Sequence, residues 1–416
     1  MPPKPLSLPQ LGAVVAGNAL EFYDFLTFSF FAVQIGQVFF PGKDTTSSLL
    51  FTLATFGVGF ATRPLGGVVI GTLGDSWGRK PAMLFSFGLM GVSVVGLALT
   101  PSFALIGWYA PALAVMFRLL QGFALGGEVG PTTAFLLEVA PPHRRGLYVS
   151  LQNATQYLAT LAAGLVGLIL ANILSPQALT DYGWRIALLI GAAVVPFALI
   201  IRRQLPETLH ETRARPGKGA SMGGLLWVAV LGLCMLASAT IGTYTMNYMT
   251  TFANHTLGFP ASWSFAATIV VGASAMAGAL VAGTVSDRVG RKPVMIGASL
   301  MLLGLVVPCF TIMVHYHSLV VLLLGTGLMS VFVGMCAAGA VISLAESLPV
   351  NLRAGSLGIV YALSIASFGG TAQFMVTWLI GVTGSPLAPA WYMTGAVALG
   401  LVAMLMMRES APIKRR

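Results

Sequence analysis

The sequence predicts an all-α membrane protein of twelve transmembrane helices, built as two six-helix halves related by a pseudo-two-fold axis. Three observations carry that expectation. Hydrophobic residues fill 56% of the 416 positions and charged residues only 8%, against roughly 25% charged in a soluble domain. Apolar stretches of about 20 residues, the length that crosses ~30 Å of hydrocarbon, recur between polar breaks. Finally, Gly71-Thr72-Leu73-Gly74-Asp75-Ser76-Trp77-Gly78-Arg79-Lys80-Pro81 returns as Gly283-Thr284-Val285-Ser286-Asp287-Arg288-Val289-Gly290-Arg291-Lys292-Pro293, 212 residues later. A second pair, Glu138-x-x-Pro141-x-x-x-Arg145 and Glu346-x-x-Pro349-x-x-x-Arg353, is 208 residues apart. Polar clusters repeated at half the chain length mark a duplicated unit.

The spans are expected near 11–39, 48–73, 82–100, 106–137, 147–174 and 185–201 in the first half. Those of the second are expected near 222–253, 261–285, 294–314, 319–345, 356–382 and 390–407. The divisions are therefore 1–201, a polar linker at 202–221, and 222–416. The first apolar run is long and interrupted by polar residues, which reads as an uncleaved first span rather than a signal peptide. The 49 glycines suit helices packed closely in lipid.

Lys and Arg set the expected orientation. With the N-terminus cytoplasmic, all fall on that side except Lys43 and Arg185 outside and Arg63 and Arg118 within or near the membrane. Both termini and both copies of the repeated motif are then cytoplasmic. The net charge of +10 records topology and calls for no nucleic-acid partner. Cys234, Cys309 and Cys336 lie in apolar runs without Cys-x-x-Cys spacing and read as buried small residues.

Enzyme signals fail. His210-Glu211 has Ala at 214 where a zinc protease motif needs a second His, and no phosphate-binding loop of the Gly-x-x-x-x-Gly-Lys-[Ser/Thr] type occurs. No enzymatic activity, no metal, no cofactor and no direct use of ATP are expected. Asn254-His255-Thr256 fits a glycosylation sequon, a pattern too short to weigh much.

Six plus six spans, with Gly-x-x-x-Asp-x-x-Gly-Arg-Lys after spans 2 and 8, resemble the major facilitator superfamily. Gly17-Asn18-Ala19-Leu20-Glu21-Phe22-Tyr23-Asp24-Phe25, Arg63-Pro64-Leu65-Gly66, Arg118 to Glu128, Trp184-Arg185 and Phe368-Gly369-Gly370 are similar to its metabolite:proton symporters. Ser76, Ala362 and Gln373 depart from that pattern. The citrate and tricarballylate branch looks most similar. The resemblance implies a bacterial inner-membrane protein, working as a monomer in the lipid bilayer, that imports a small organic anion with protons. A proline/betaine-type carrier, or a carrier-like receptor that does not transport, are the other readings.

Glu21, Asp24, Arg118 and Glu128 fall inside predicted spans, where an ionisable group costs at least ~2.5–3.5 kcal/mol without a partner or a wet cavity. Asn18, Glu21 and Phe25 share one face of span 1, and Arg118, Gln121 and Leu125 one face of span 4. The resemblance places both spans on the central cavity, where Arg118 would offer a bidentate fork to a substrate carboxylate; the bland reading is a fixed ion pair. Glu21, Asp24 and Glu128 are the proton-coupling candidates. Asn18, Gln121, Gln152, Gln156, Asn247 and Tyr248 are the further substrate-binding candidates, with Asn153 grouped beside Gln152 and Gln156, Tyr244 beside Asn247 and Tyr248, Tyr361 and Gln373 weaker, and Arg63 undecided. Asp75, Arg79, Glu138 and Arg145, matched by Asp287, Arg291, Glu346 and Arg353, form two charge clusters that could latch a gate.

Overall fold

A computed structural model describes residues 8–42, 44–77, 79–126, 129–203, 222–349 and 353–412. Helices occupy all twelve predicted spans, and no strand occurs among the described residues. Span 1 is Leu8–Phe30 followed by Ala32–Phe39, with a 65° bend between Asn18–Phe30 and Ala32–Phe39. Just before the bend the Thr27 hydroxyl donates to the Tyr23 carbonyl at 2.7 Å, a one-turn-back contact of the kind that bends helices. Span 2 is Thr45–Ala61 and Arg63–Trp77, interrupted where Pro64 brings no N–H to the ladder. Span 3 is Arg79–Leu99, span 4 Tyr109–Leu125 and Val129–Val139, span 5 Arg145–Ile173 and span 6 Trp184–Arg203.

In the second half, span 7 begins as Met222–Asn247 and runs on through Thr256. Spans 8, 9 and 10 are Ala261–Val289, Arg291–His315 and Leu319–Ser347. Span 11 is Arg353–Ser364 and Gly370–Thr383, joined by a widened π turn at Ile365–Gly369, and span 12 is Ala388–Met406. Local insertions of this kind occur most often beside functional sites.

Glycines set how closely the helices approach. A Cβ on Gly66 would sit 1.9 Å from the Phe123 carbonyl oxygen, and one on Gly126 2.0 Å from that of Arg63. The second half repeats both contacts. A Cβ on Gly278 would meet the Val331 oxygen at 2.0 Å, and one on Gly334 that of Ala275 at 2.1 Å. Each of these eight residues is separated from its counterpart by the 212 or 208 residues that separate the polar motifs. Spans 2 and 4 and spans 8 and 10 therefore cross in the same way, backbone on backbone, because no side chain intervenes.

The halves touch toward both ends of the bundle. At the end without the repeated motif, the Phe31 and Phe265 ring centroids lie 4.8 Å apart and Ser29 donates to Gln373 Oε1 at 2.7 Å. Spans 5 and 8 pack through Gly146 and Gly283 toward the motif-bearing end and through Gly272 near their middle. A Cβ on Gly272 would lie 2.5 Å from the Leu161 backbone nitrogen.

The repeated crossing gives a paired test. Gly126→Ala and Gly334→Ala should each lower the thermal unfolding midpoint of the detergent-solubilised protein, through overpacking of about 1–3 kcal/mol. Gly297→Ala, where a Cβ would meet nothing within 4 Å, should not lower it. Equal midpoints for all three would refute backbone contact at these crossings.

Candidate functional site

Between the halves, midway along the bundle, lies a cavity of ≈ 40 Å³, lined by residues of both halves. That volume holds a few water molecules and no larger metabolite. Span 5 supplies Asn153, Gln156 and Tyr157, and span 1 supplies Phe22. From the other half come Thr243, Tyr244 and Asn247 of span 7 and Tyr361 of span 11. Gln156 Nε2 donates to the Tyr361 hydroxyl at 3.4 Å, and the Tyr157 and Thr243 hydroxyls are 3.2 Å apart. Both contacts cross from one half to the other. Asn153 Nδ2 and Asn247 Oδ1 are buried without a hydrogen-bond partner. A donor and an acceptor are thus left for something other than the protein to satisfy.

Of the substrate-binding candidates, Gln156 and Asn247 line this cavity. Asn18 and Gln152 do not: Asn18 Nδ2 donates to the Gln152 carbonyl at 3.1 Å and to Thr155 Oγ1 at 2.8 Å, while Gln152 Oε1 accepts from Thr133. Those contacts tie span 1 and span 4 to span 5 within the first half. Tyr248 is fully buried and accepts a hydrogen bond from Thr377 at 3.0 Å. Its neighbour one turn back, Tyr244, is the residue that reaches the cavity. Tyr157 and Thr243 were missed by the sequence reading, having no feature that separates them from other polar residues in spans.

Arg118 is placed differently from expectation. Its side chain is fully buried in the first half, away from the cavity lining. Nη1 donates to Gln121 Oε1 at 2.6 Å and to the Phe25 carbonyl at 3.3 Å, and Nη2 to the Phe56 carbonyl at 3.5 Å. The rings of Phe25, Phe28 and Phe56 lie 4.0, 4.7 and 5.0 Å from its guanidinium carbon. Carbonyl dipoles and ring faces thus compensate the charge. Gln121 follows Arg118 inward and is likewise off the cavity. In this conformation Arg118 does not offer its fork to the cavity: its Nη groups are held by spans 1, 2 and 4, and its Nε has no hydrogen-bond partner.

Among the acids, Glu21 and Asp24 are both buried. Glu21 lies within electrostatic reach of Arg63. Asp24 Oδ1 has no hydrogen-bond partner and faces span 6, where a Cβ on Gly191 would lie 1.7 Å from it. Residue Glu128, and the side chains of Asp75 and Arg79, lie outside the described residues.

The second copy of the charge cluster is assembled. Arg291 grips Glu346 with two parallel bonds, Nε to Oε2 at 3.0 Å and Nη2 to Oε1 at 2.9 Å, and reaches Asp287 Oδ1 with Nη1 at 2.8 Å. Asp287 then accepts from the backbone N–H groups of Gly146 at 2.8 Å and Leu147 at 3.1 Å, the start of span 5 in the other half. A carboxylate across the first turn of a helix satisfies orphan donors and complements the positive end of the dipole. Gly146 permits the approach, since a Cβ there would lie 2.5 Å from Arg291 Nη1. Arg353, with Glu138, Arg145 and Glu346 in electrostatic reach, donates to the Leu348 carbonyl at 3.3 Å nearby.

The chain after span 12 joins the same cluster. Ser410 donates to Glu346 Oε2 at 2.9 Å, and Glu409 accepts from the backbone N–H groups of Arg291 and Lys292 at 2.9 and 3.1 Å. Burial alone would raise the Glu409 carboxyl, but its backbone donors, Ala411, Arg291 and Lys292 among them, outweigh burial and hold it below its ordinary range.

A family model described as "Sugar (and other) transporter" matches residues 10–216 and 225–411. The chain is 35% identical over 396 residues to a citrate-proton symporter of Klebsiella pneumoniae, covering 94% of this chain and 89% of that one. It is 31% identical over 424 residues to a proline/betaine transporter of Salmonella typhimurium, covering 97% and 84%. Among solved structures, a D-xylose-proton symporter superposes with a TM-score of 0.76 at 18% identity, covering 97% of this chain and 98% of that one. That likeness speaks for the fold.

The cap on span 5 is open to test. Asn in place of Asp287 removes the charge and cannot accept through both terminal atoms. A weakening of ~1.4 kcal/mol would shift the closed-to-open ratio at this end about tenfold. Asp287→Asn should therefore increase alkylation of a cysteine placed at Ser150, in a background lacking Cys234, Cys309 and Cys336. Unchanged alkylation would show that the contact does not hold this end shut.

Proposed function

Because the chain belongs to the sugar (and other) transporter family, within the major facilitator superfamily, we propose that it is a secondary transporter importing citrate or a related tricarboxylate together with protons. The observation that carries this reading is the cavity at the junction of the halves, with an unpaired donor and acceptor and two hydrogen bonds across it. Such a site is reached from one face at a time when two six-helix units rock about it. The cavity in the contracted state is too small for a tricarboxylate, so the halves must part for substrate to enter. The rocking units are 1–201 and 222–416, joined by 202–221. The identity to a citrate-proton symporter supports the substrate class.

In this reading Gln156 and Asn247 contact substrate directly, with Asn18 and Gln152 holding span 5 in place behind them. Glu21, Asp24 and Glu128 remain the acids available for the proton. Arg118 and Gln121 keep spans 1, 2 and 4 together. The latch of Asp287, Arg291 and Glu346 closes the motif-bearing end, which the Lys and Arg distribution makes cytoplasmic, as are both termini. The protein acts as a monomer in the bilayer of a bacterial inner membrane. Its similarity to a proline/betaine transporter favours a zwitterion carrier as the second reading.

Reconstituted into proteoliposomes, the chain should accumulate labelled citrate when an inward proton gradient is imposed. A protonophore should abolish accumulation, and tricarballylate should compete where glycine betaine does not. Accumulation indifferent to the protonophore would remove proton symport from the account, and competition by betaine alone would move the substrate to the second reading.

A further inference from the structure

Among the described residues, Arg63 is the arginine with the most buried side-chain donors left without a partner. It is 4% exposed, yet its Nε and Nη2 make no hydrogen bond. Buried guanidinium donors in a low-dielectric interior are normally paired, because an unpaired one carries its full desolvation cost. The neighbouring Arg118 shows how this protein compensates such a group when the role is internal: Gln121 and two backbone carbonyls accept from it. At Arg63 both Nε and Nη2 lack an acceptor, against Nε alone at Arg118, and the carboxylate within its electrostatic reach is that of Glu21.

Arg63 sits behind the cavity lining rather than in it, against residues that do line the cavity. The guanidinium carbon lies 4.4 Å from the ring centroids of both Phe25 and Phe60 and 6.0 Å from that of Phe22, itself a cavity wall. Aromatic rings hold the charge through their faces and leave in-plane N–H groups for a planar acceptor. Tyr244 and Tyr361, cavity residues of the opposite half, lie within its electrostatic reach.

The duplication supplies an internal control. The carbonyl of residue 63 accepts the close approach of Gly126, and its counterpart at the equivalent crossing is Ala275, approached by Gly334. The same backbone crossing is thus built in the second half with a methyl side chain. The arginine is not required by the packing of these helices, so its charge has another reason to be there.

We propose that Arg63 is the carboxylate receptor of the central site. Resting on the transport reading above, the inference is that one substrate carboxylate takes the open donors of Arg63 and the hydroxyls of Tyr244 and Tyr361 meet it from the other half. The bound anion then joins span 2 to spans 7 and 11, so its binding draws the halves together. A carboxylate accepts two parallel bonds from a guanidinium, which gives orientation as well as affinity.

Calorimetric titration of the purified full-length chain tests this, with citrate, tricarballylate and glycine betaine as probes. Arg63→Ala should weaken tricarballylate binding about 100-fold or more, and Arg63→Lys, which keeps charge but loses the fork, about tenfold. Tyr361→Phe should weaken it several-fold, about the loss of one hydrogen bond to a charged group. Arg63→Lys decides the matter if Arg63→Ala does not fold. Tricarboxylate binding within twofold of wild type in Arg63→Lys, and in Arg63→Ala if it folds, overturns the receptor while leaving the substrate class standing. Should the wild type bind only glycine betaine, the tricarboxylate reading falls. The receptor then survives if Arg63→Ala or Arg63→Lys weakens betaine binding, and fails if they do not. A wild type that binds none of the three overturns both.

Discussion

A charge inside hydrocarbon has to find its compensation within the protein, and the organisation of this chain follows from that constraint. Arg291 meets it with Glu346 and Asp287. Arg118 meets it with carbonyl oxygens, an amide and three aromatic rings. The same scarcity of water forces backbone polar groups into helices, and helices without a hydrophobic drive to associate must come close enough for dispersion to hold them. Glycines at 66, 126, 278 and 334 provide that closeness. Charges and glycines together thus define both the crossings and the points where the halves can grip.

Duplication gives the frame, and departures from it locate the function. The crossings of spans 2 with 4 and 8 with 10 superimpose residue for residue in their close contacts. Within that shared frame, Arg63 stands opposite Ala275 and Arg118 opposite Thr326 at the motif offsets. These two buried cations of the first half thus have neutral counterparts in the second, and both halves present neutral hydroxyls and amides to the cavity. A substrate carrying negative charge would be held mainly by one half and closed over by the other. The hydrogen bonds Gln156–Tyr361 and Tyr157–Thr243 mark where that closure occurs.

Much of this architecture is legible in the sequence, and the limits of legibility have physical causes. Span length and the half-chain repeat locate the helices to within a few residues, because hydrocarbon thickness and duplication constrain every segment alike. The charge cluster is legible because Asp287, Arg291 and Glu346 are polar repeats in a chain poor in charge. The facing of Arg118 is not. Helical periodicity puts Arg118 and Gln121 on one face but does not tell whether that face looks toward the cavity or toward spans 1 and 2. Tyr244 and Tyr248 show the same gap: one turn apart, one lines the cavity and the other packs on Thr377. Arg63 was undecidable because what distinguishes it, two donors without acceptors beside a cavity wall, exists only in three dimensions.

The central claim is that two rigid halves close around the cavity and open at one end at a time. Pulsed electron-spin distance measurements test it directly. Spin labels would be placed as one pair on His143 and Arg408 at the motif-bearing end, and as another on Gln177 and His317 at the opposite end, all four sites being exposed. Across a titration of pH and citrate in lipid, the two distances should change reciprocally, one lengthening as the other shortens, while pairs within a single half stay constant. Distances that lengthen together, or changes as large within a half as between halves, would contradict rocking about a central site.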